Sequence, residues 1–165
     1  MAVLEQLVSD ETYYTIAQFG GFHDPKAANA DVDGMGLKNT GGFIFYDGNN
    51  SQWLDPAKST ARQYLCDLAV DAAELGIDEI LLTDFGYPTN GKLDKISYGE
   101  TAKNENLLAF LQEMRAALEP YGVGLSVQLP AVVVTTAVTV SSTLWLASVL
   151  HTFVAVQGLL SADQV

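Results

Sequence analysis

The sequence is poor in cysteine, histidine and basic residues. Its one cysteine, Cys66, can form no intramolecular disulfide and no thiolate cluster for zinc or iron. The two histidines and the scattered aspartates lack the spacing of a zinc or calcium site, so we expect no metal and no cofactor. Eight Lys and Arg residues stand against 20 Asp and Glu, and the resulting net charge of −12 disfavours binding to nucleic acid or to an anionic membrane surface.

Several motifs of nucleotide and hydrolase chemistry are also missing. No predicted strand is followed by a glycine-rich phosphate loop, and no serine occupies a nucleophile elbow. These absences remove kinases, dehydrogenases and α/β-hydrolases from the leading candidates. The longest nearly uncharged run, 125–160, is interrupted by Pro130, His151 and several Ser and Thr residues. It therefore predicts strands and a helix inside a core, with no membrane insertion.

The composition that remains is typical of a compact α/β protein. With 165 residues, 48% of them hydrophobic and 17% charged, the chain is long enough for one packed domain over 1–165. A complete eight-fold barrel needs about 250 residues. Residues 1–10 contain Glu5 and no basic stretch before an apolar run, so we expect no signal peptide there, and an extracellular or cell-surface location would require a leader ahead of them. The sequence does not predict the oligomeric state.

Helical and strand patterns alternate along the chain. The periodicity predicts helices at 2–8, 25–29, 56–75 and 101–118, a short helix from Ser141 or Ser142 to His151, and strands at 13–19, 79–85, 123–129 and 153–157. Two apolar pieces, 43–46 and 52–54, flank a turn signal and predict a β-hairpin. Asp55 followed by Pro56 predicts the N-cap of the next helix. The order strand, helix, strand indicates parallel (β/α) repeats.

Parallel strands gather polar residues at their carboxyl ends, where ligands bind in such folds. The residues expected there, or beside it on the hairpin, are His23, Asp24, Trp53, Asp84, Tyr87 and Gln128. Carboxylates, aromatic rings and amides are the groups that a sugar site uses, so carbohydrate is the expected ligand.

Each of these candidates also has a purely structural interpretation. Asp24 can cap a helical turn, and His23 can be an exposed loop residue. Trp53 can pack as core, Tyr87 can shape the turn, and Gln128 can be a buried amide with satisfied partners.

An ordered series of short motifs carries a family resemblance. The motifs are Phe22-His-Asp-Pro25, Trp53-Leu-Asp-Pro56, Ala72-Ala-Glu-Leu-Gly76, Asp78-Glu-Ile80 and Tyr87-Pro88. Over residues 14–129 the chain resembles the bacterial "putative glycosyl hydrolase domain" family, a barrel type grouped with glycoside hydrolases. The resemblance implies a TIM-barrel-like fold, here partial or reduced, and hydrolysis of a glycosidic bond in a poly- or oligosaccharide. It implies Asp84 as the acid or nucleophile and Asp24 as a second carboxylate.

The chain departs from the family pattern at the positions that matter most for catalysis. The family's strand carries an aspartate, then an aromatic residue, and an arginine two positions further, where this chain has Thr83, Asp84 and Gly86. A further family aspartate falls at Gln128. A shift of one residue along a strand turns a side chain to the opposite face. The expected substrate contacts are His23, Thr83, Trp53, Tyr87 and Gln128.

Because of these departures, the chain could also be a protein without glycosidase activity. A glycosidase needs two carboxyl groups, about 5 Å apart in retaining enzymes and further apart in inverting ones. A chain that has lost its paired acids would be a non-catalytic module that binds carbohydrate or serves as a scaffold. An enzyme of another class, such as a small-molecule lyase, is a third possibility without a positive motif.

Overall fold

The computed structural model of the chain describes residues 2–10, 12–130 and 154–157. In chain order the elements are α1 (Ala2–Ser9), β1 (Ile16–Gly20), α2 (Pro25–Ala30), α3 (Ser59–Glu74), β2 (Glu79–Thr83), α4 (Lys103–Leu118), β3 (Gly124–Pro130) and β4 (Val154–Gln157), with 3₁₀ turns at Leu93–Lys95 and Glu119–Tyr121. The predicted helices and strands are present apart from the short helix ending at His151, which lies outside the described residues.

The four strands form one sheet in the order β1-β2-β3-β4. Strand β2 pairs with β3 in parallel, with Glu79 opposite Gly124, and β3 pairs with β4 in parallel, with Val127 opposite Val154. The prediction of a mixed α/β chain with a parallel sheet is confirmed. Within the described residues the sheet is open and does not close into a barrel.

The chain divides into two compact units, which we describe separately. The sheet unit comprises Met1–Phe19, Ala69–Thr83 and Arg115–Val165, and the loop unit comprises Gly20–Leu68 and Asp84–Met114. In the sheet unit, side chains alternate along β2, so that Ile80 and Leu82 are fully buried while their neighbours are half-buried. Val127 on the paired strand β3 is also buried. This apolar layer accounts for the parallel pairing.

Asp78 secures the start of the sheet. Its carboxylate accepts hydrogen bonds from both the backbone N–H and the hydroxyl of Thr15, each at 2.7 Å. Its carbonyl oxygen accepts from the N–H of Gly124 at 2.9 Å. One residue thus ties the segment before β1 to the first residue of β3.

The loop unit differs from the predicted hairpin. Ile44 pairs with Lys38 and Leu54 pairs with Gly36, both in isolated antiparallel bridges. The predicted hairpin paired segment 43–46 with segment 52–54. In the structure, each of these two segments pairs with segment 36–38 instead. A main-chain hydrogen bond from Leu37 N–H to the carbonyl oxygen of Trp53, at 2.8 Å, fixes this arrangement.

Two predicted element ends are also wrong. Helix α3 begins at Ser59, because Asp55 closes a separate turn in which its carbonyl oxygen accepts from the N–H of Lys58 at 3.0 Å. Asp55 is therefore not the cap of α3. Strand β2 ends at Thr83, since Asp84 adopts a left-handed conformation with φ of 48° that cannot continue a strand.

Leucine-to-alanine substitutions at a buried and at an exposed position should lower the free energy of unfolding by different amounts. We expect Leu82→Ala to lower the free energy of unfolding by about 2–5 kcal/mol, because a fully buried side chain leaves a cavity. Leu75→Ala, at a position that is 42% exposed just after α3, should cost less than about 1 kcal/mol. Urea unfolding of the two variants measures the difference, and equal losses would contradict this description of the core.

Candidate functional site

The candidate residues are divided between the two units. His23, Asp24, Trp53, Asp84 and Tyr87 lie in the loop unit. Thr83 and Gln128 lie in the sheet unit, Thr83 as the last residue of β2 and Gln128 within β3 opposite Ala155 of β4. Both are half-buried. The roles expected for these two residues in substrate contact stay predictions.

Asp84 lies immediately after β2 and is exposed. Its carbonyl oxygen accepts a hydrogen bond from the N–H of Phe22 at 3.3 Å. A Cβ atom built on Gly20 would lie 4.0 Å from Asp84 Oδ2 and 3.2 Å from the carbonyl oxygen of His23. The carboxylate therefore lies near the turn at the end of β1, and a side chain at Gly20 would press on the carbonyl oxygen of His23.

The backbone of Asp84 is unusual for a residue with a side chain. Only Asp84 and Asn50 among the described non-glycine residues have a positive φ. Aspartate tolerates this region better than most residues do, but the conformation is still strained by about 1 kcal/mol or more. Such strain clusters at functional sites, since the surrounding structure must hold it in place.

Asp24 has its carboxylate already in use. It is the N-cap of α2, with Oδ1 accepting from the N–H groups of Lys26 and Ala27 at 3.0 Å each. The hydroxyl of Tyr64 donates to Oδ2 at 3.0 Å. Burial, then this hydrogen bond to Asp24, raises the pKa of Tyr64. The structural interpretation of Asp24 as a helix cap is confirmed, while its catalytic role stays a prediction.

His23 and Trp53 lie in direct contact. Their ring centroids are 4.7 Å apart with the planes inclined by 32°. His23 Nε2 lies 2.7 Å from the hydroxyl of Ser51, and the indole N–H of Trp53 donates to Asp47 Oδ2 at 3.0 Å. Asp47 Oδ1 accepts from two further backbone N–H groups, those of Asn49 and Ser51, at 2.9 Å each. The loop 47–51 is thus folded around one carboxylate that orients the indole.

The electrostatics of Asp47 follow from these contacts. Desolvation raises the pKa of its carboxyl. The hydrogen bonds from Trp53, Ser51 and Asn49 and the charge of His23 lower that pKa by more than desolvation raises it, so the pKa of Asp47 lies below its ordinary value. The side chain therefore acts as a charged, buried acceptor. It was not among the predicted site residues, because the Asp-Gly-Asn-Asn stretch indicated only a turn.

Tyr87 and Trp53 both pack on one small core. Both side chains pack against the buried cluster formed by Leu37, Phe45 and Ile96, together with Tyr98 and Leu93. The Tyr87 hydroxyl accepts from the side-chain amide of Asn106 at 3.0 Å, and its ring meets that of Tyr98 edge to face with centroids 5.4 Å apart. The ammonium of Lys103 lies 3.4 Å from the centroid of Tyr98. Trp53 and Tyr87 thus share one apolar cluster as their packing partner.

Asp55 is a buried carboxyl whose environment the sequence did not indicate. Its side chain accepts from the N–H of Ala57 at 3.0 Å, and only 7% of the residue is exposed. Desolvation raises the pKa of Asp55 despite that hydrogen bond and the nearby charges of Lys58 and Arg62. The charge of Asp55 in turn contributes to the raised pKa of Tyr87, whose main cause is burial. No local motif could have revealed this, since the burial comes from segments distant in sequence.

Other chemistries lack a basis in the described part of the chain. Within it, no three His, Cys, Asp or Glu side chains are grouped so that they could hold a metal ion. None of the helices that the structure describes is long and apolar enough to cross a membrane. Cys66 is buried, and that burial raises the pKa of its thiol to about 12, so it is a packed side chain and not a nucleophile.

Comparison with known protein families shows to which family the chain belongs. The model of the family described as "putative glycosyl hydrolase domain" matches residues 1–144. The chain belongs to this family. The resemblance inferred from the motifs over residues 14–129 is thereby confirmed over a longer range. No match was found among curated proteins.

Solved structures share the fold of this glycosyl hydrolase-like chain. A hypothetical protein from Ruminiclostridium thermocellum ATCC 27405 gives a TM-score of 0.66 at 27% identity, over 75% of this chain and 64% of that protein. Aspergillus fumigatus Ega3, solved with galactosamine, gives 0.51 at 13% identity, over 83% and 51%. An inactive mutant of the Vibrio harveyi GH20 exo-β-N-acetylglucosaminidase gives 0.52 at 12% identity, over 76% and 22%. The chain spans less than two thirds of each.

The contacts of Asp47 predict a pH-dependent contribution to stability. The folded-state pKa lies below the unfolded value of about 3.9, so the stabilisation is complete above that value and is lost as the pH falls through the folded pKa. At pH 7 we expect Asp47→Asn to lower the free energy of unfolding by about 2 kcal/mol. Urea unfolding followed by circular dichroism at pH 7 and pH 3 should show the deficit shrinking at the lower pH.

The matched control for Asp47 is Asp94→Asn. Asp94 is exposed and forms an exposed ion pair with Lys95 at 3.2 Å, so its substitution should change stability by less than about 0.5 kcal/mol. Similar losses in the two variants would mean that the loop does not depend on the Asp47 carboxylate.

Proposed function

We propose that this chain is a glycoside hydrolase domain that cleaves a poly- or oligosaccharide with Asp84 as its principal carboxylate. The observation that carries the proposal is the position of Asp84, exposed, in a strained conformation and against the turn at the end of β1. Family membership supports hydrolysis of glycosidic bonds as the reaction. We infer further that the parallel sheet is part of a partial or reduced TIM-barrel-like fold.

The chemistry assigns two tasks to carboxyl groups. One protonates the glycosidic oxygen, and the other attacks the anomeric carbon or activates a water molecule. Asp84 is suited to either task because it is exposed. Asp24 is the proposed second group, but it must act while two helix N–H groups and the Tyr64 hydroxyl hold its oxygens. Those three hydrogen bonds occupy both carboxylate oxygens, so Asp24 would have to exchange at least one of these partners for a substrate.

The aromatic side chains of the loop unit support a sugar ligand. Trp53 is half-buried with its indole fixed by Asp47, and His23 lies against it. Tyr87 lies over the same apolar cluster. Rings held in fixed positions bind the apolar faces of sugars at a low cost in conformational entropy. In the proposal, His23, Trp53 and Tyr87 position the saccharide.

A second candidate is a non-catalytic carbohydrate-binding module. The occupied carboxylate of Asp24 favours it, as do Thr83, Gly86 and Gln128 at positions where the family pattern has an aspartate, an arginine and a second aspartate. In this case the aromatic residues would bind the sugar and Asp84 would contribute a hydrogen bond.

Substitution of Asp84 separates the two candidates. If Asp84 acts in catalysis, Asp84→Asn should lower the rate of saccharide hydrolysis by about a hundredfold or more, because the amide cannot transfer the proton or form the covalent bond. Asparagine tolerates the left-handed conformation, so the variant should fold normally. Reducing-sugar release over a panel of polysaccharides is the measurement. The panel should include polymers of galactosamine and of N-acetylglucosamine, the sugars named for two of the structural neighbours.

Asp71→Asn, at an exposed position on α3, serves as the control. Equal rates in the wild type and Asp84→Asn would remove Asp84 from its role. Saccharide binding without hydrolysis by either protein would establish the binding module instead.

A further inference from the structure

A groove in the loop unit lies where segments 38–46 and 92–96 meet. It has a volume of about 430 Å³, and the side chains that define it are Phe43, Tyr46, Lys92 and Lys95. We call it the Phe43 groove. Pockets of about 300–1,000 Å³ hold small ligands, so its size suits one or two sugar rings.

The aromatic residues of the Phe43 groove are unusually exposed. Phe43 is 74% exposed, the highest value among the large hydrophobic residues described, and Tyr46 is 46% exposed. The exposure of Phe43 comes from a built turn and not from a loose loop. The side-chain oxygen of Asn39 accepts from the N–H groups of Gly41 and Phe43, at 2.9 and 3.2 Å, and the carbonyl oxygen of Phe43 accepts from the N–H of Asn39 at 2.7 Å.

The same ladder holds the cationic side of the groove. The N–H of Thr40 donates to the carbonyl oxygen of Lys95 at 2.8 Å, and Asn39 bridges to Ile96. The aromatic turn and the lysine segment are therefore joined by main-chain hydrogen bonds. Because the backbone of both is fixed before any ligand arrives, binding would need to order only side chains.

The charge of the groove is opposite to that of the whole chain. Two of the eight basic residues line it and no acidic side chain does, although the chain carries a net charge of −12. Lys95 makes an exposed ion pair with Asp94 at 3.2 Å, which contributes little and leaves the ammonium accessible. Lys92 has no ion-pair partner among the described residues.

From this arrangement we propose that the Phe43 groove is a binding site for a saccharide unit that carries a carboxylate, a uronic acid. The apolar face of the sugar ring packs on Phe43 and Tyr46, and the carboxylate lies between the ammonium groups of Lys92 and Lys95. A neutral sugar could pack on the rings but would gain no charge interaction with the two lysines.

The charge complementarity distinguishes this ligand from other occupants. Single-stranded nucleic acid also combines aromatic stacking with cations, but it needs a basic channel several nucleotides long, and the net charge of −12 repels it. A second copy of the chain would bring the same net negative charge, and a two-fold contact through the groove would add the same two lysines to the interface. A saccharide with one acidic group per ring is small enough to use the local positive charge.

This site deepens the proposed function, because it rests on carbohydrate as the ligand and names its chemical class. It does not use Asp84, so the two proposals can fail separately. A substrate that carries uronic acid residues could occupy the Phe43 groove whether or not the chain cleaves it.

The test is an NMR titration of the full chain with trigalacturonic acid and with its methyl ester. The ester keeps the three rings and removes the charges. We expect the acid to bind at least about fivefold more tightly than the ester. Phe43→Ala should weaken binding of the acid by about tenfold, and Lys92→Gln or Lys95→Gln by about threefold each. All three residues are exposed, so the variants should fold normally.

Two substitutions outside the groove serve as controls. Lys26→Gln removes an exposed lysine on α2, and Tyr13→Ala removes a ring that is 59% exposed before β1. Neither should change the affinity for the acid.

Several results would overturn the inference. They are equal binding of acid and ester, no binding of either, or wild-type affinity in Phe43→Ala. A dimer in sedimentation that Phe43→Ala dissociates would assign the groove to a second copy of the chain.

Other results separate this inference from the proposed function. If the Asp84→Asn variant binds the acid normally but does not hydrolyse saccharides, both proposals are supported. Absent hydrolysis in the wild type with intact binding removes only the enzyme.

Discussion

The backbone of Phe22 holds the loop unit together. Its N–H donates to the carbonyl oxygen of Asp84, and its carbonyl oxygen accepts from the N–H of Leu54 at 2.8 Å. The side chain is fully buried and meets Phe110 edge to face, with ring centroids 4.8 Å apart. Phe22, two residues after the end of β1, thereby fixes the start of the Asp84 loop and the segment that carries Trp53. The strained conformation of Asp84 persists because this neighbour restrains it.

Four aspartates in the loop unit have the same carboxyl group but differ in burial and in hydrogen-bond partners. Asp24 caps a helix and receives a tyrosine hydroxyl, and Asp47 holds a loop and an indole. Asp55 is buried and its pKa is raised, while Asp84 is exposed on a strained backbone. Of these four residues, Asp84 is the exposed one. This distribution explains how a member of a glycosyl hydrolase-like family can retain several acids near its aromatic residues and still be short of an obvious catalytic pair.

The sequence predicted the regular elements well and the loop unit poorly. Helices α3 and α4 and strands β2 and β3 have strong periodic patterns, so their existence and order followed from apolar spacing. The pairing of Ile44 with Lys38 did not, because short extended segments choose partners by long-range packing and not by the nearest turn. The burial of Asp55 could not be predicted for the same reason. The local sequence indicated only that Asp55 would cap a helix.

By itself, the sequence determined the order of the elements, the parallel sheet, the family and the absence of a disulfide framework. These properties depend on local periodicity, short motifs and residue counts. The tertiary structure decided which carboxylates are occupied, how Trp53 is oriented, and that Phe43 stands beside Lys92 and Lys95. These depend on contacts between residues far apart in the chain. Burial and hydrogen-bond partners arise only when such segments meet, and no local pattern encodes them.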